Sequence, residues 1–172
     1  MNGDRMIEVH PNLYVGSEDD EQRIRGQAGW FVVHACKEPY HRQALGYRTR
    51  GAPKGHPEYL IARRDGCLIL NLVDAADPRY IPAEIIDAAI ADISANIAAR
   101  KVLVHCNEGK SRSPGIAFLY LRKMTDLFQG MDTETAIPQF RLLYPPFMPG
   151  AGMLGFIQAN AARYSANSDG AH

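Results

Sequence analysis

The chain has 172 residues, 46% of them hydrophobic, which is enough to bury a core within one domain. Its 19 Lys and Arg balance its 19 Asp and Glu, so no global pull toward nucleic acid or a membrane surface is expected. Three cysteines without paired spacing, Cys36, Cys67 and Cys106, argue against a disulfide framework or a zinc site and for a reducing, cytoplasmic setting. Met1-Asn2-Gly3-Asp4-Arg5 leads into no long apolar run, so neither a signal peptide nor a membrane span is expected.

Ile7 to Val15 alternates loosely and breaks at His10-Pro11-Asn12, which predicts two short strands around a turn. Ser17 is placed to cap a short helix, and the acidic run Glu18 to Glu21 behind it is expected to be a solvated face. Trp30 to Cys36 reads as a buried strand. Lys37 to Arg64 carries Gly46, Gly51, Pro53, Gly55 and Pro57, which predicts a long loop with little regular structure. It also holds Lys37, Arg42, Arg48, Arg50, Lys54, Arg63 and Arg64 against only Glu38 and Glu58. Such a segment either adds positive potential beside a functional pocket or is an uninvolved excursion.

Cys67 to Val73 is a second buried strand and runs into Asp74-Ala75-Ala76-Asp77-Pro78. Pro82 opens a helix with Ile86, Ile90, Ile93 and Ile97 on one face, and Val102 to Val104 follows as a strand. Strand, helix and strand of these lengths make a right-handed crossover, which predicts a parallel pair at the sheet centre. Farther on, Gly130 ends one helical segment, Asp132 caps another, Pro145 to Gly150 is a loop and Met153 to Tyr164 a last helix. The expected result is one domain over residues 1–172, its core about 7–164, with Ser165 to His172 as a frayed tail.

The chain is organised around Val102-Leu103-Val104-His105-Cys106-Asn107-Glu108-Gly109-Lys110-Ser111-Arg112-Ser113-Pro114. A buried strand leads to a cysteine, a short polar loop follows, and Pro114 fits the first turn of a helix. A loop that opens into a helix aims its unpaired N–H groups and the positive end of the dipole at one spot. Cys106 lies there, within reach of Arg112, and that field favours a thiolate and an oxyanion beside it.

His105-Cys106-x5-Arg112-Ser113, in this strand-loop-helix setting, resembles the signature of the cysteine-dependent protein tyrosine phosphatases, most of all their dual-specificity branch. The resemblance implies an α/β fold, a central mostly parallel sheet flanked by helices on both faces. It implies that Cys106 attacks phosphorus and forms a phosphocysteine, and that Arg112 grips two phosphoryl oxygens. The N–H groups of Asn107, Glu108, Gly109, Lys110, Ser111 and Arg112 complete the cradle. Ser113 donates to the sulfur as it leaves, and His105 orders the loop in a supporting role. In such phosphatases an aspartate roughly thirty residues before the cysteine protonates the leaving oxygen; Asp74 suits that spacing, with Asp77 as the alternative acid.

The same resemblance implies no cofactor and no metal. Its substrate would be a phosphorylated protein, carrying phosphotyrosine and also phosphoserine or phosphothreonine. A nucleotide, an RNA 5′-end or an inositol phosphate is the alternative ester, and a phosphate-binding pseudophosphatase the alternative to an enzyme. Neither a stable nucleic-acid partner nor a membrane is expected, and the oligomeric state stays open. In some relatives a cysteine placed like Cys36 forms a reversible disulfide with the nucleophile; plain burial is its other reading. Two departures stand out: no tyrosine-recognition loop is identifiable, and besides Arg112 the cradle holds one cation, Lys110, offset by Glu108.

Overall fold

The computed structural model describes residues 5–166, so Met1–Asp4 of the N-terminal lead and residues 167–172 of the expected tail lie outside the description. Among the described residues six short strands form one sheet: β1 (Ile7–His10), β2 (Leu13–Gly16), β3 (Trp30–His34), β4 (Ile61–Arg64), β5 (Cys67–Leu70) and β6 (Lys101–His105). Their order is β1-β2-β6-β3-β5-β4, with parallel pairing for the three central contacts and antiparallel pairing at both edges. The mostly parallel sheet is as expected. The predicted adjacency of the crossover strands is not, because β3 lies between β5 and β6 and pairs with both. A crossover fixes relative direction without requiring its two strands to be neighbours.

Side-chain alternation divides β6 between two faces. Val102 and Val104 join the main apolar cluster, which also receives α3 (Ala83–Asn96), α4 (Arg112–Met124) and α6 (Ala151–Ala159). In α3 the residues Ile85, Ile86, Ala89, Ile90 and Ile93 are buried at helical spacing, each large one stabilising by about 1.5–3 kcal/mol. From Ser113 to Leu121 every residue of α4 is buried, as befits a helix held between β2, β6, α3 and α6. A short helix, α1 (Glu18–Ile24), packs against β2 and β6. The remaining helices are α2 (Arg42–Leu45) and α5 (Thr133–Leu143), the latter capped by Asp132 Oδ1, which accepts from Thr135 N at 2.8 Å.

Three local expectations are corrected. The acidic run is not simply solvated: Asp20 and Glu21 are 3% and 4% exposed. Asp20 accepts from the N–H and hydroxyl of Ser17, and Glu21 from Arg25 and Tyr40, so their burial is compensated. Lys37 to Arg64 is more regular than its glycines and prolines suggested. It forms a π-type turn at Lys37–His41, then α2, and ends in β4 on the sheet edge. Finally, residues 125–130 form turns rather than a helical segment ending at Gly130, and the last helix runs from Ala151 to Ala159 rather than from Met153 to Tyr164.

Candidate active site

Parallel strands β6, β3 and β5 all end on one edge of the sheet, the edge where open α/β sheets bind ligands. Cys106 follows β6, Cys36 lies just beyond β3, and Leu72 to Asp74 continue from β5. A cavity of ≈ 150 Å³ opens there, lined by Asp74, Cys106, Asn107, Glu108, Lys110, Ser111 and Arg112. That is roughly five times the ≈ 30 Å³ share of one liquid water, room for a tetrahedral oxyanion. A groove of ≈ 560 Å³ between α3 and α4 is larger, but its carboxylate, Asp87, is bound to Arg163 and Tyr164 and it holds no cysteine.

Three carbonyls of the loop from Asn107 to Ser111 are held by donors outside the loop. Asn107 O accepts from Glu18 N at 3.2 Å, Gly109 O from the Tyr144 hydroxyl at 2.6 Å, and Lys110 O from Met148 N at 2.8 Å. Ser111 Oγ accepts from Gly150 N at 3.0 Å. Among the described residues, none accepts from the N–H groups of residues 107–112. Successive N–H groups left free at a helix start make an anion nest. Gly109 enables the turn: its φ is +74°, and a Cβ there would lie 2.9 Å from Gly16 O and 3.1 Å from the Tyr144 hydroxyl.

Cys106 is 2% exposed. Ser113 Oγ lies 3.1 Å from its sulfur and also 3.1 Å from Gly16 O, while Ser113 N donates to the sulfur at 3.4 Å. A hydroxyl has one proton, so Ser113 can serve Gly16 O while the sulfur carries its own hydrogen and turn to the sulfur once that hydrogen is gone.

Arg112 is held from behind. Its Nη1 donates to Leu72 O at 3.0 Å and its Nη2 to Asn107 Oδ1 at 2.8 Å. The Asn107 amide meanwhile donates to Glu38 O at 2.9 Å and Glu18 Oε1 at 3.1 Å. Asn107, expected only to lend a backbone N–H, thus also fixes the guanidinium fork with its side chain. The remaining N–H groups of the fork are left for the cavity.

Asp74 lines the cavity and Asp77 does not. Asp77 caps the turn Pro78–Tyr80, accepting from Arg79 N at 2.9 Å, and the Arg79 guanidinium beside it holds its carboxyl below the usual range. Glu108 and Lys110 stand on the rim. Burial pushes the Cys36 thiol up, against the pull of Arg112, which leaves Cys36 a buried thiol rather than a ready nucleophile. Cys67 begins β5, at the far end of the sheet from the cradle.

His105 is fully buried away from the cavity. Its Nδ1 donates to Cys106 O at 3.1 Å, which makes its Nε2 the acceptor for His34 Nδ1 at 2.6 Å. Tyr40 stacks on His34 with 4.4 Å between ring centres and donates to Glu21 at 2.9 Å. One potential ligand atom from each of Glu21, His34 and His105 lies within 4.8 Å of the others, and in this structure the Glu21 carboxylate, both His105 nitrogens and His34 Nδ1 are engaged in these bonds and with Arg25.

Burial holds His34 down to about 3, with His105 adding to it, and holds His105 down to about 4. In the unfolded chain each returns to about 6.5. As the pH falls below that value the unfolded state gains protons first, so stability declines from about pH 6.5 and levels off near pH 3. Urea unfolding should show each histidine costing about 2 kcal/mol between about pH 7.5 and pH 5, and His34→Gln should remove roughly half of that decline. A pH-independent unfolding free energy over that range would contradict the buried neutral pair.

No protein-family profile matches the sequence, and no curated protein aligns with it. Similarity to solved structures is extensive. The human tyrosine phosphatase-like serine/threonine/tyrosine-interacting protein superposes with a TM-score of 0.61 at 19% identity, over 93% of this chain and 97% of that one. DUSP15 gives 0.60 at 18%, over 98% and 92%. Human DUSP28 gives 0.56 at 20%, over 93% and 92%. The chain therefore has the fold of the dual-specificity branch of cysteine-dependent phosphatases.

Proposed function

We propose that this protein is a cysteine-dependent phosphatase that hydrolyses phosphotyrosine, and also phosphoserine or phosphothreonine, through a phosphocysteine intermediate. The observation that carries the reading is the convergence of the Cys106 sulfur, the free N–H groups of residues 107–112, Arg112 and Asp74 on one cavity. The phosphoryl group sits in the nest with two oxygens against Arg112. The Cys106 sulfur attacks phosphorus as the ester oxygen departs, and Asp74 gives that oxygen its proton. Water, activated by the now ionised Asp74, then breaks the S–P bond, and Ser113 donates to the departing sulfur. His105 acts only by fixing the Cys106 carbonyl. Every step uses groups of this chain, so no metal or cofactor enters.

In this reading residues 1–172 are one phosphatase domain working in the cytoplasm, where its free cysteines stay reduced. Among the described residues no helix is long and apolar enough to cross a membrane. The second reading is a phosphate-binding module without turnover, prompted by the neighbour described as phosphatase-like and interacting. The test is release of phosphate from a phosphotyrosine peptide in excess EDTA. Turnover that EDTA does not affect is expected. A folded protein that binds the peptide and releases nothing would leave the binding module.

A further inference from the structure

Segment 37–54 carries five of the cations, Lys37, Arg42, Arg48, Arg50 and Lys54, against the single carboxylate of Glu38. The chain as a whole is neutral, so this is a local concentration of positive charge. It is fastened to the cradle. Lys37 N donates to Leu72 O at 2.9 Å, the carbonyl that also receives Arg112, and Glu38 O receives the Asn107 amide.

Two of the five cations hold the segment in shape. Arg42 pairs with Glu38, donates to the carbonyls of Tyr47, Thr49 and Arg50, and lies 4.7 Å over the Tyr47 ring. Lys37 Nζ donates to Arg50 O at 2.7 Å. His41, fully buried, bonds to the Tyr47 hydroxyl and to Glu58 O. The backbone around residues 47–50 is thereby folded back toward the start of the segment, which touches Asn107. Arg48 and Arg50 are exposed there, Lys54 is exposed four residues farther along, and none of the three has a carboxylate partner among the described residues.

Resting on the phosphatase reading, we propose that Arg48, Arg50 and Lys54 form a docking strip for acidic residues flanking the phosphorylated residue of a protein substrate. Exposed cations of one sign beside a pocket raise the local concentration of an anionic ligand and its rate of encounter, an effect that salt screens. An ordered backbone lets them do so at low entropic cost.

The test compares the full chain with its Arg48→Glu/Arg50→Glu/Lys54→Glu variant on three substrates: a small aryl phosphate, a phosphotyrosine peptide with acidic flanks and one with neutral flanks. Expected is a fall of about tenfold or more in kcat/KM for the acidic peptide, with the other two within about twofold. The wild-type preference for acidic flanks should vanish as NaCl rises from about 0.05 M to about 0.5 M. Equal changes for both peptides, or none, would overturn the strip. So would competition by an inositol polyphosphate but not by a non-phosphorylated acidic peptide. Should the wild type release no phosphate from any ester, the phosphatase reading fails. Fluorescence anisotropy of the labelled acidic peptide on the two proteins then still decides the strip.

Discussion

Replacing Cys106 by serine is expected to lower kcat by about 10⁴-fold or more while leaving phosphate binding intact. The change is nearly isosteric at a position 2% exposed, so the loop, Arg112 and Ser113 stay in place. What disappears is the proposed nucleophile. A serine hydroxyl needs a base to activate it, and the one imidazole adjacent in sequence is unavailable. His105 has its Nδ1 on Cys106 O and its Nε2 on His34, and both rings are buried. Steady-state turnover gives the loss, and titration calorimetry with inorganic phosphate shows whether the cradle survives. A serine variant keeping more than about a tenth of the activity would mean that another group attacks phosphorus.

The second large effect separates two aspartates three positions apart. Asp74→Asn should lower kcat on a phosphotyrosine peptide by about 10²–10⁴-fold, the usual worth of a positioned acid. Asp77→Asn should stay within about twofold, because that carboxyl caps the Arg79 turn and does not line the cavity. The Asp74 effect should shrink on an aryl phosphate whose leaving group needs no proton. The opposite ranking of the two variants would move the acid to Asp77.

Much of this site is legible in the sequence because its parts are contiguous. One strand, one loop and one helix start carry Cys106, the nest, Arg112 and Ser113, and local rules for loops and helix N-termini suffice to read them. What the sequence does not disclose is carried by backbone atoms and by distant chain. Leu72 and Gly16 act through carbonyls, which any residue possesses. Tyr144 and the Met148 to Gly150 backbone brace the loop from over thirty residues away. Asn107 reads as a loop residue until its amide is seen spanning Arg112 and Glu38.

The same limit explains the fold's surprises. Ile61-Ala62-Arg63-Arg64 is too short and too charged to announce an edge strand, yet it pairs in register from Leu70 back to Cys67. Asp20 and Glu21 look like surface acids until Ser17, Arg25 and Tyr40 are brought against them. The close approach of Asp20 also explains Gly16, where a Cβ would come within 2.4 Å of its carboxylate oxygen.

The most direct test of the account is whether phosphate passes through sulfur at Cys106. Wild-type protein mixed with phosphotyrosine peptide in EDTA, quenched in acid within one turnover and digested, should yield the peptide containing Cys106 with one added phosphoryl group. Recovery of that group on any other residue, or burst release of phosphate with none on Cys106 at any quench time, would contradict the mechanism.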